Sequence, residues 1–297
     1  MNQPAAAAGT WTLGDLTVNR MGLGSMRLTG AGPRDRAIAV LRRAVELGVN
    51  HIDTAAFYFS ATRSANELIN SALSPYPDDL VITTKVWPGR DPSGEWTWAQ
   101  TPDKLRGQVE ENLRQLGRDH LDVVNLRLPR SQLAGSLGAH FTALAELRDQ
   151  GLIRHLGISS INAAHLTEAR AIAPVVCVQN RFALGADADQ HELLRSCGEL
   201  GIAYVPYFAL ASATGNTGNS AVNGTAGNAA GNAADDDAVE SVARAHDATA
   251  AQVRLAWTLQ LGPHVLAIPG TGDPAHLDQN VAAAALKLTP ADMALLG

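Results

Sequence analysis

The sequence predicts an α/β fold in which eight strand–helix units close into a parallel (β/α)8 TIM barrel. Three observations predict it. Short apolar runs alternate along the chain with amphipathic stretches of helical period. Several of those stretches stop at a glycine, as at Gly48, Gly117 and Gly151. The length of 297 residues exceeds one ordinary domain yet suits a single barrel spanning residues 1–297.

Each element has its own signal. Thr10 to Val18 alternates around Gly14-Asp15 and reads as a β-hairpin. Gly22 and Gly24 do not form a dinucleotide-binding fingerprint, because position 27 is Arg and no helix opens directly after it. Arg34 to Leu47 is helical. Val49 to Ile52 is a buried strand, with Ser64 to Leu73 as its return helix. Leu80 to Lys85 is the next strand, followed by a loop from Val86 to Gln100 that carries Trp87, Trp96 and Trp98. Pro102 to Leu116 is an amphipathic helix with proline in its first turn. Leu121 to Arg127 is strand four, and Leu137 to Gln150 its helix. Arg154 to Ser160 and Asn162 to Ile172 form the fifth unit, Val175 to Asn180 and Gln190 to Leu200 the sixth. Ala203 to Leu210 is strand seven. Val265 to Pro269 is strand eight, followed by a helix from Pro274.

Ala211 to Ala234 breaks the pattern, being almost entirely Gly, Asn, Ala, Ser and Thr. Such a composition buries too little apolar area to offset the entropy of ordering it, so a mobile loop is expected at 211–234. Asp235, Asp236 and Asp237 are expected to cap a helix from Ala238 to Ala245.

With 46% hydrophobic and 18% charged residues, the composition is that of a globular protein with ample core. A formal net charge of -6 without a basic block argues against nucleic acid or an anionic membrane as partner. No apolar run approaches the ~20 residues of a membrane span, and Met1 to Ala8 does not read as a signal peptide. Cys177 and Cys197 lack CxxC spacing and suit reduced core thiols, so a cytoplasmic location is expected. No cluster with metal-ligand spacing occurs, and oligomeric state is not legible.

The chemistry concentrates at two successive strand ends. Asp53 follows the strand ending at Ile52, Tyr58 lies five residues on in a loop, and Lys85 ends the next strand. Ends of strands are where α/β barrels keep their catalytic groups. A tyrosine delivers a proton near neutral pH only when something favours its phenolate, and an ammonium does so.

These residues and their spacing, Ile52-Asp53-Thr54-Ala55 followed by Tyr58 and then Lys85, resemble the aldo-keto reductases. The resemblance implies an NAD(P)H-dependent reduction of an aldehyde or ketone on a (β/α)8 barrel whose bottom is closed by the N-terminal hairpin. Met21 to Met26 is similar to the family's first strand, with Gly24, Ser25 and Met26 near the nicotinamide end of the cofactor. Ser159, Ser160 and Gln179 match the group that holds the carboxamide, although Ser160 stands where the family has Asn. Asp53 also borders the cofactor. Tyr207 matches the ring that stacks on the nicotinamide, within Tyr207-Phe208-Ala209-Leu210. Ile268, Pro269, Gly270, Thr271, His276, Gln279 and Asn280 match the adenosine-phosphate segment, which here contains neither Lys nor Arg. NADPH is the implied cofactor, with NADH not excluded. Trp87 falls on the rim where the substrate would sit. The 211–234 loop matches a segment that folds over the cofactor, and a neutral linker is the competing reading.

One departure is large. Where the family carries its tetrad histidine, counting from Asp122 gives Arg127, and Asn125 lies one layer deeper on the same face. Either side chain can donate to a substrate oxygen. His51 shares a face with Asp53 but lies deeper, as a packed core histidine would. The Asn-Leu-Arg end of strand four resembles the bacterial branch containing pyridoxal reductases, which makes pyridoxal the candidate substrate. A cofactor-binding sensor or regulatory subunit on the same barrel is the alternative.

Overall fold

The computed structural model describes residues 3–91, 93–129, 133–210 and 233–297. Leu23–Gly24, His51–Asp53, Val81–Val86, Leu121–Arg127, Ile153–Ser159, Cys177–Gln179 and Ala203–Tyr204 are hydrogen-bonded side by side in that order. Segment 265–270 closes the ring. Val265 bridges to Tyr204 on one flank, while Ala267 and Gly270 bridge to Met21 and Gly24 on the other. All these pairings are parallel, so the architecture is the closed (β/α)8 barrel that the alternation predicts.

Strand parity sorts the side chains into two cores. Outward-facing Ile82, Val124, Leu126, Ile158 and Val178 join the large core shared with the surrounding helices. Inward-facing Val81, Val123, Cys177, Ala203 and Leu266 pack with Leu13 and Val18 of the hairpin. The hairpin, Thr10–Leu13 paired antiparallel with Leu16–Asn19, thus plugs the end where the strands begin. Its turn is fastened to strand five: Asp15 accepts from Arg154 at 2.6 Å and pairs with His155. Those two hydrogen bonds, Arg154's first, hold its carboxyl well below the usual carboxylate range.

Several elements depart from the sequence reading. Strand seven ends at Tyr204 rather than Leu210; beyond it Val205 N donates to the Val178 carbonyl, and Tyr207 bridges to Arg181. Pro206, which has no N–H to give to a ladder, stands between. Strand six is confined to Cys177–Gln179. The tryptophan-bearing loop folds into an antiparallel ribbon, Pro88–Arg90 against Trp96–Trp98. The helix after the Gly/Asn/Ala segment begins at Ala233, so Asp235 to Asp237 fall inside it instead of before it. Alanines at 233 and 234 are the strongest helix formers and extend it backwards. Asp236 pairs with Arg254 of the next helix. That helix, Ala250–Gln260, is not evident from periodicity because Val253 to Leu259 are all buried, leaving no polar stripe. Pro290–Leu296 adds a short terminal helix. The expected loop at 211–234 lies, up to residue 232, outside the described residues.

Candidate active site

Parity and register build the site. Asp53, Lys85, Arg127, Ser159 and Gln179 stand at or next to the carboxyl ends of strands two to six, on the inner face. Lys85 Nζ donates to both Asp53 oxygens, at 2.6 and 2.8 Å, and to the Thr54 carbonyl at 2.9 Å. Gln179 Nε2 donates to Asp53 Oδ2 at 2.7 Å. The pair is buried on both sides, and three donated hydrogen bonds satisfy the carboxylate. Tyr58, in the loop after strand two, sits with its ring centroid 4.9 Å from Lys85 Nζ. Phe57 packs edge-on against Tyr58 at 5.1 Å and Trp96 lies 5.6 Å beyond Phe57.

These groups open into a cavity of about 880 Å³ including its mouth. Gly24, Met26, Asp53, Tyr58, Lys85, Arg127, Gln179, Tyr207 to Leu210, Ile268, Pro269 and Gly270 line it, which gathers most of the residues singled out in the sequence. Arg27 and Pro206 also line it and were not anticipated. Arg127 and Asn125 are now separated by depth. Arg127 reaches the cavity, with its guanidinium 6.0 Å from the Phe57 ring and 5.6 Å from that of Tyr207. Asn125 is fully buried below and accepts a weak hydrogen bond from Cys177 Sγ at 3.2 Å. Gly157 makes room for it: a Cβ there would collide with Asn125 Oδ1 and Cys177 Sγ.

Other expected residues take different places. Trp87 is 4% exposed, stacked on His140 with centroids 4.0 Å apart, and does not line the cavity; Trp96 lies nearer Tyr58, through Phe57. The glycines of strand one serve the barrel seam: a Cβ on Gly22 would lie 2.8 Å from the His51 carbonyl, and one on Gly24 2.7 Å from that of Ile268. Thr271 is buried and its hydroxyl accepts from Asp273 N at 3.0 Å. His276 and Gln279 are exposed, while Asn280 is buried. Asp273 caps the helix Pro274–Ala282, accepting from Ala275 N at 2.8 Å, and pairs with Arg36 from the first helix. A cation therefore does stand at this helix end, brought from 237 residues earlier in the chain, where no local motif announces it.

A buried polar chain behind the site also escaped the sequence reading. Thr54 Oγ1 donates to Asn66 at 2.6 Å, Asn66 Nδ2 to Asn112 at 3.0 Å, and Thr84 Oγ1 to Asn112 at 2.6 Å. It ties the residue whose carbonyl receives Lys85 to two outer helices. The available signal was an asparagine on the apolar face of each helix.

The residues fit a nicotinamide cofactor. Ser159 Oγ and Gln179 Oε1 are buried without a protein partner among the described residues, on adjacent strands and in register. A carboxamide needs one donor and one acceptor side by side, and this pair supplies them. Tyr207 offers a ring in the cavity wall, its hydroxyl 3.2 Å from Ser160 Oγ. Ser160 holds a left-handed backbone, φ 59°, at the position where the family's Asn would adopt it more readily.

A family model described as "Aldo/keto reductase family" matches residues 20–296. The chain belongs to the aldo/keto reductase family. Pyridoxine 4-dehydrogenase of Escherichia coli K12 is 42% identical over 293 residues, covering 95% of each chain. An uncharacterized oxidoreductase of Schizosaccharomyces pombe is 36% identical, over 96% of this chain and 88% of that protein. Among solved structures, an aldo-keto reductase from Klebsiella pneumoniae in complex with NADPH superimposes with a TM-score of 0.76 at 26% identity, covering 94% of this chain and 90% of that one. As an aldo/keto reductase, the chain is an NAD(P)H-dependent oxidoreductase acting on small carbonyl compounds, and no helix among its described residues is long and apolar enough to cross a membrane.

Proposed function

We propose that this aldo/keto reductase reduces pyridoxal, or a closely similar aromatic aldehyde, to the alcohol with NADPH, Tyr58 acting as the proton donor. The observation that carries the reading is the buried Asp53–Lys85 pair beside Tyr58, at the wall of a cavity rimmed by aromatic residues. The 42% identity to a pyridoxine 4-dehydrogenase supports the substrate class, and the NADPH complex of the Klebsiella relative supports the cofactor.

When bound, the cofactor supplies the hydride. Ser159 and Gln179 would hold its carboxamide, and Tyr207 would stack on its ring. Tyr58 gives its proton to the carbonyl oxygen as negative charge develops there, which requires a separation of ~3 Å. Lys85 stabilises the phenolate left behind, because its ammonium is fixed beside the ring. Asp53 fixes it there, with Gln179 orienting the carboxylate. The proton returned to Tyr58 from solvent completes the cycle. Arg36, reaching from the first helix to the cap residue Asp273, and His276, in the first turn of helix Pro274–Ala282, would meet an adenosine 2′-phosphate. An intact Asp53–Lys85–Tyr58 group favours turnover over a purely sensing role. The two free thiols, both pushed up to about 12 by burial, support a cytoplasmic setting.

The test is the loss of NADPH absorbance with pyridoxal, methylglyoxal and 4-nitrobenzaldehyde, each repeated with NADH. Pyridoxal should give the highest kcat/KM, and NADPH should outperform NADH. Turnover of 4-nitrobenzaldehyde alone would sink the pyridoxal reading; turnover of none would sink the reductase reading.

A further inference from the structure

Arg127 stands in an unusual electrostatic position. Among the described residues, four charged side chains line the cavity: Asp53, Lys85, Arg27 and Arg127. Asp53 and Lys85 neutralise each other. Arg27 lies toward Gly270, on the strand-eight wall. Arg127 is half-buried between the rings of Phe57 and Tyr207 and pairs with no carboxylate among the described residues. Cation–π contact with two rings holds the guanidinium at the cavity wall without using its N–H fork, which stays free to donate. A cation partly removed from water without a counter-ion carries a desolvation cost that an anionic ligand relieves. A guanidinium carries five N–H donors, more than one carbonyl oxygen accepts, so donors remain for another group on the same substrate.

Resting on the carbonyl-reductase reading, we infer that Arg127 is a specificity residue that selects planar aromatic aldehydes bearing an anionic oxygen, a phenolate or a carboxylate, on the ring. Phe208, an exposed aromatic of the cavity wall, offers its face to the substrate ring, and the guanidinium takes the anion in a bidentate, charge-assisted pair. The same charge repels cationic aldehydes. Selection acts through KM, because the anion is present in ground state and transition state alike.

Carboxylate and nitro groups are nearly isosteric and differ in charge, so 4-carboxybenzaldehyde and 4-nitrobenzaldehyde form a matched pair of probes. The quantity to measure is the ratio of their kcat/KM values in the wild type, in Arg127→Met and in Arg127→Lys. The ratio should fall at least ten-fold in Arg127→Met, chiefly through KM, and recover in part in Arg127→Lys. Calorimetric titration of the matching alcohols, 4-(hydroxymethyl)benzoate and 4-nitrobenzyl alcohol, gives a readout free of turnover and should show the same loss for the anion alone. Added salt should weaken the wild-type protein's binding of the anionic member only, a test that needs no variant. An equal loss for both aldehydes would assign Arg127 to the carbonyl oxygen and overturn the inference, as would an unchanged ratio or salt-insensitive binding. Wild-type protein that reduces neither aldehyde but still binds the anionic alcohol in preference would overturn the reductase reading while leaving the anion site standing.

Discussion

Lys85 Nζ lies within 2.6 and 2.8 Å of the two carboxylate oxygens of Asp53, across adjacent strands and wholly within the barrel. Two residues apart from the register partner of Asp53, Lys85 shares its inward face, so the pair follows from strand parity. The pair fixes a positive charge beside a phenol. The first two predictions concern that phenol and that charge.

Tyr58→Phe should lower kcat for any aldehyde by about 10²- to 10⁴-fold, the usual contribution of a positioned general acid. The ring that packs on Phe57 is retained. NADPH binding, measured by quenching of protein fluorescence, should stay within a few-fold of wild type. A variant that kept most of its kcat would remove Tyr58 from the mechanism.

Lys85→Met should be comparably damaging, and the double variant no worse than either single one, since the two residues act as a unit. It should also destabilise the fold by about 3–5 kcal/mol, because Asp53 is left charged and buried. Lys85→Met with Asp53→Asn should recover much of that stability and none of the activity. Urea denaturation curves of the two variants decide the point.

Arg36→Ala should weaken NADPH by about ten-fold, roughly 1.4 kcal/mol, and NADH far less. Direct titration of both cofactors measures the ratio. Equal weakening would show that Arg36 acts only by holding Asp273 at the helix cap.

His51 supplies a pH prediction. It lies below Asp53, fully buried, with Nε2 3.1 Å from Thr83 Oγ1. Burial pushes it down to about 4; Lys85 adds to that effect and Asp53 opposes it. Its folded value is below its unfolded one, so between them the unfolded chain binds the extra proton. Stability therefore falls as pH drops from 6.5 toward 4, by roughly 3 kcal/mol from this residue. Denaturation at pH 7 and pH 5 should show a smaller difference in His51→Gln than in the wild type.

The barrel was legible because its signals are local: apolar runs, glycine stops and a Gly-Asp turn each act within a few residues. Tyr58 and Lys85 were legible because strand ends fix their depth. Arg127 against Asn125 was not resolved by parity, which places both inward; depth decides, and depth depends on how the strands are staggered. Arg27, which lines the cavity, and Arg36, which pairs with the helix-cap residue Asp273, are not announced by any local motif. Trp87 was misplaced because a loop tryptophan can face either way. Gln108 Oε1, 21 residues on, accepts its N–H at 2.7 Å, and His140 stacks on its ring. The helix Ala250–Gln260 was invisible for the opposite reason, being buried on every side.

The closing of the ring has a consequence for how the protein responds to its cofactor. Strand eight is stitched to strand one by isolated contacts: Gly22 N to Ala267 O at 2.8 Å, Ala267 N to Arg20 O at 2.8 Å, and Gly24 N to Pro269 O at 3.1 Å. Gly24, Met26 and Arg27 on one flank and Ile268, Pro269 and Gly270 on the other share the cavity wall. A molecule seated there is a rivet across the joint between the two ends of the chain. Binding at a hundred times Kd adds about 2.7 kcal/mol to stability. Its local signature should be slower amide exchange at Gly22, Gly24 and Ala267, while strands four and five, each paired along their length, gain no more than the global increment.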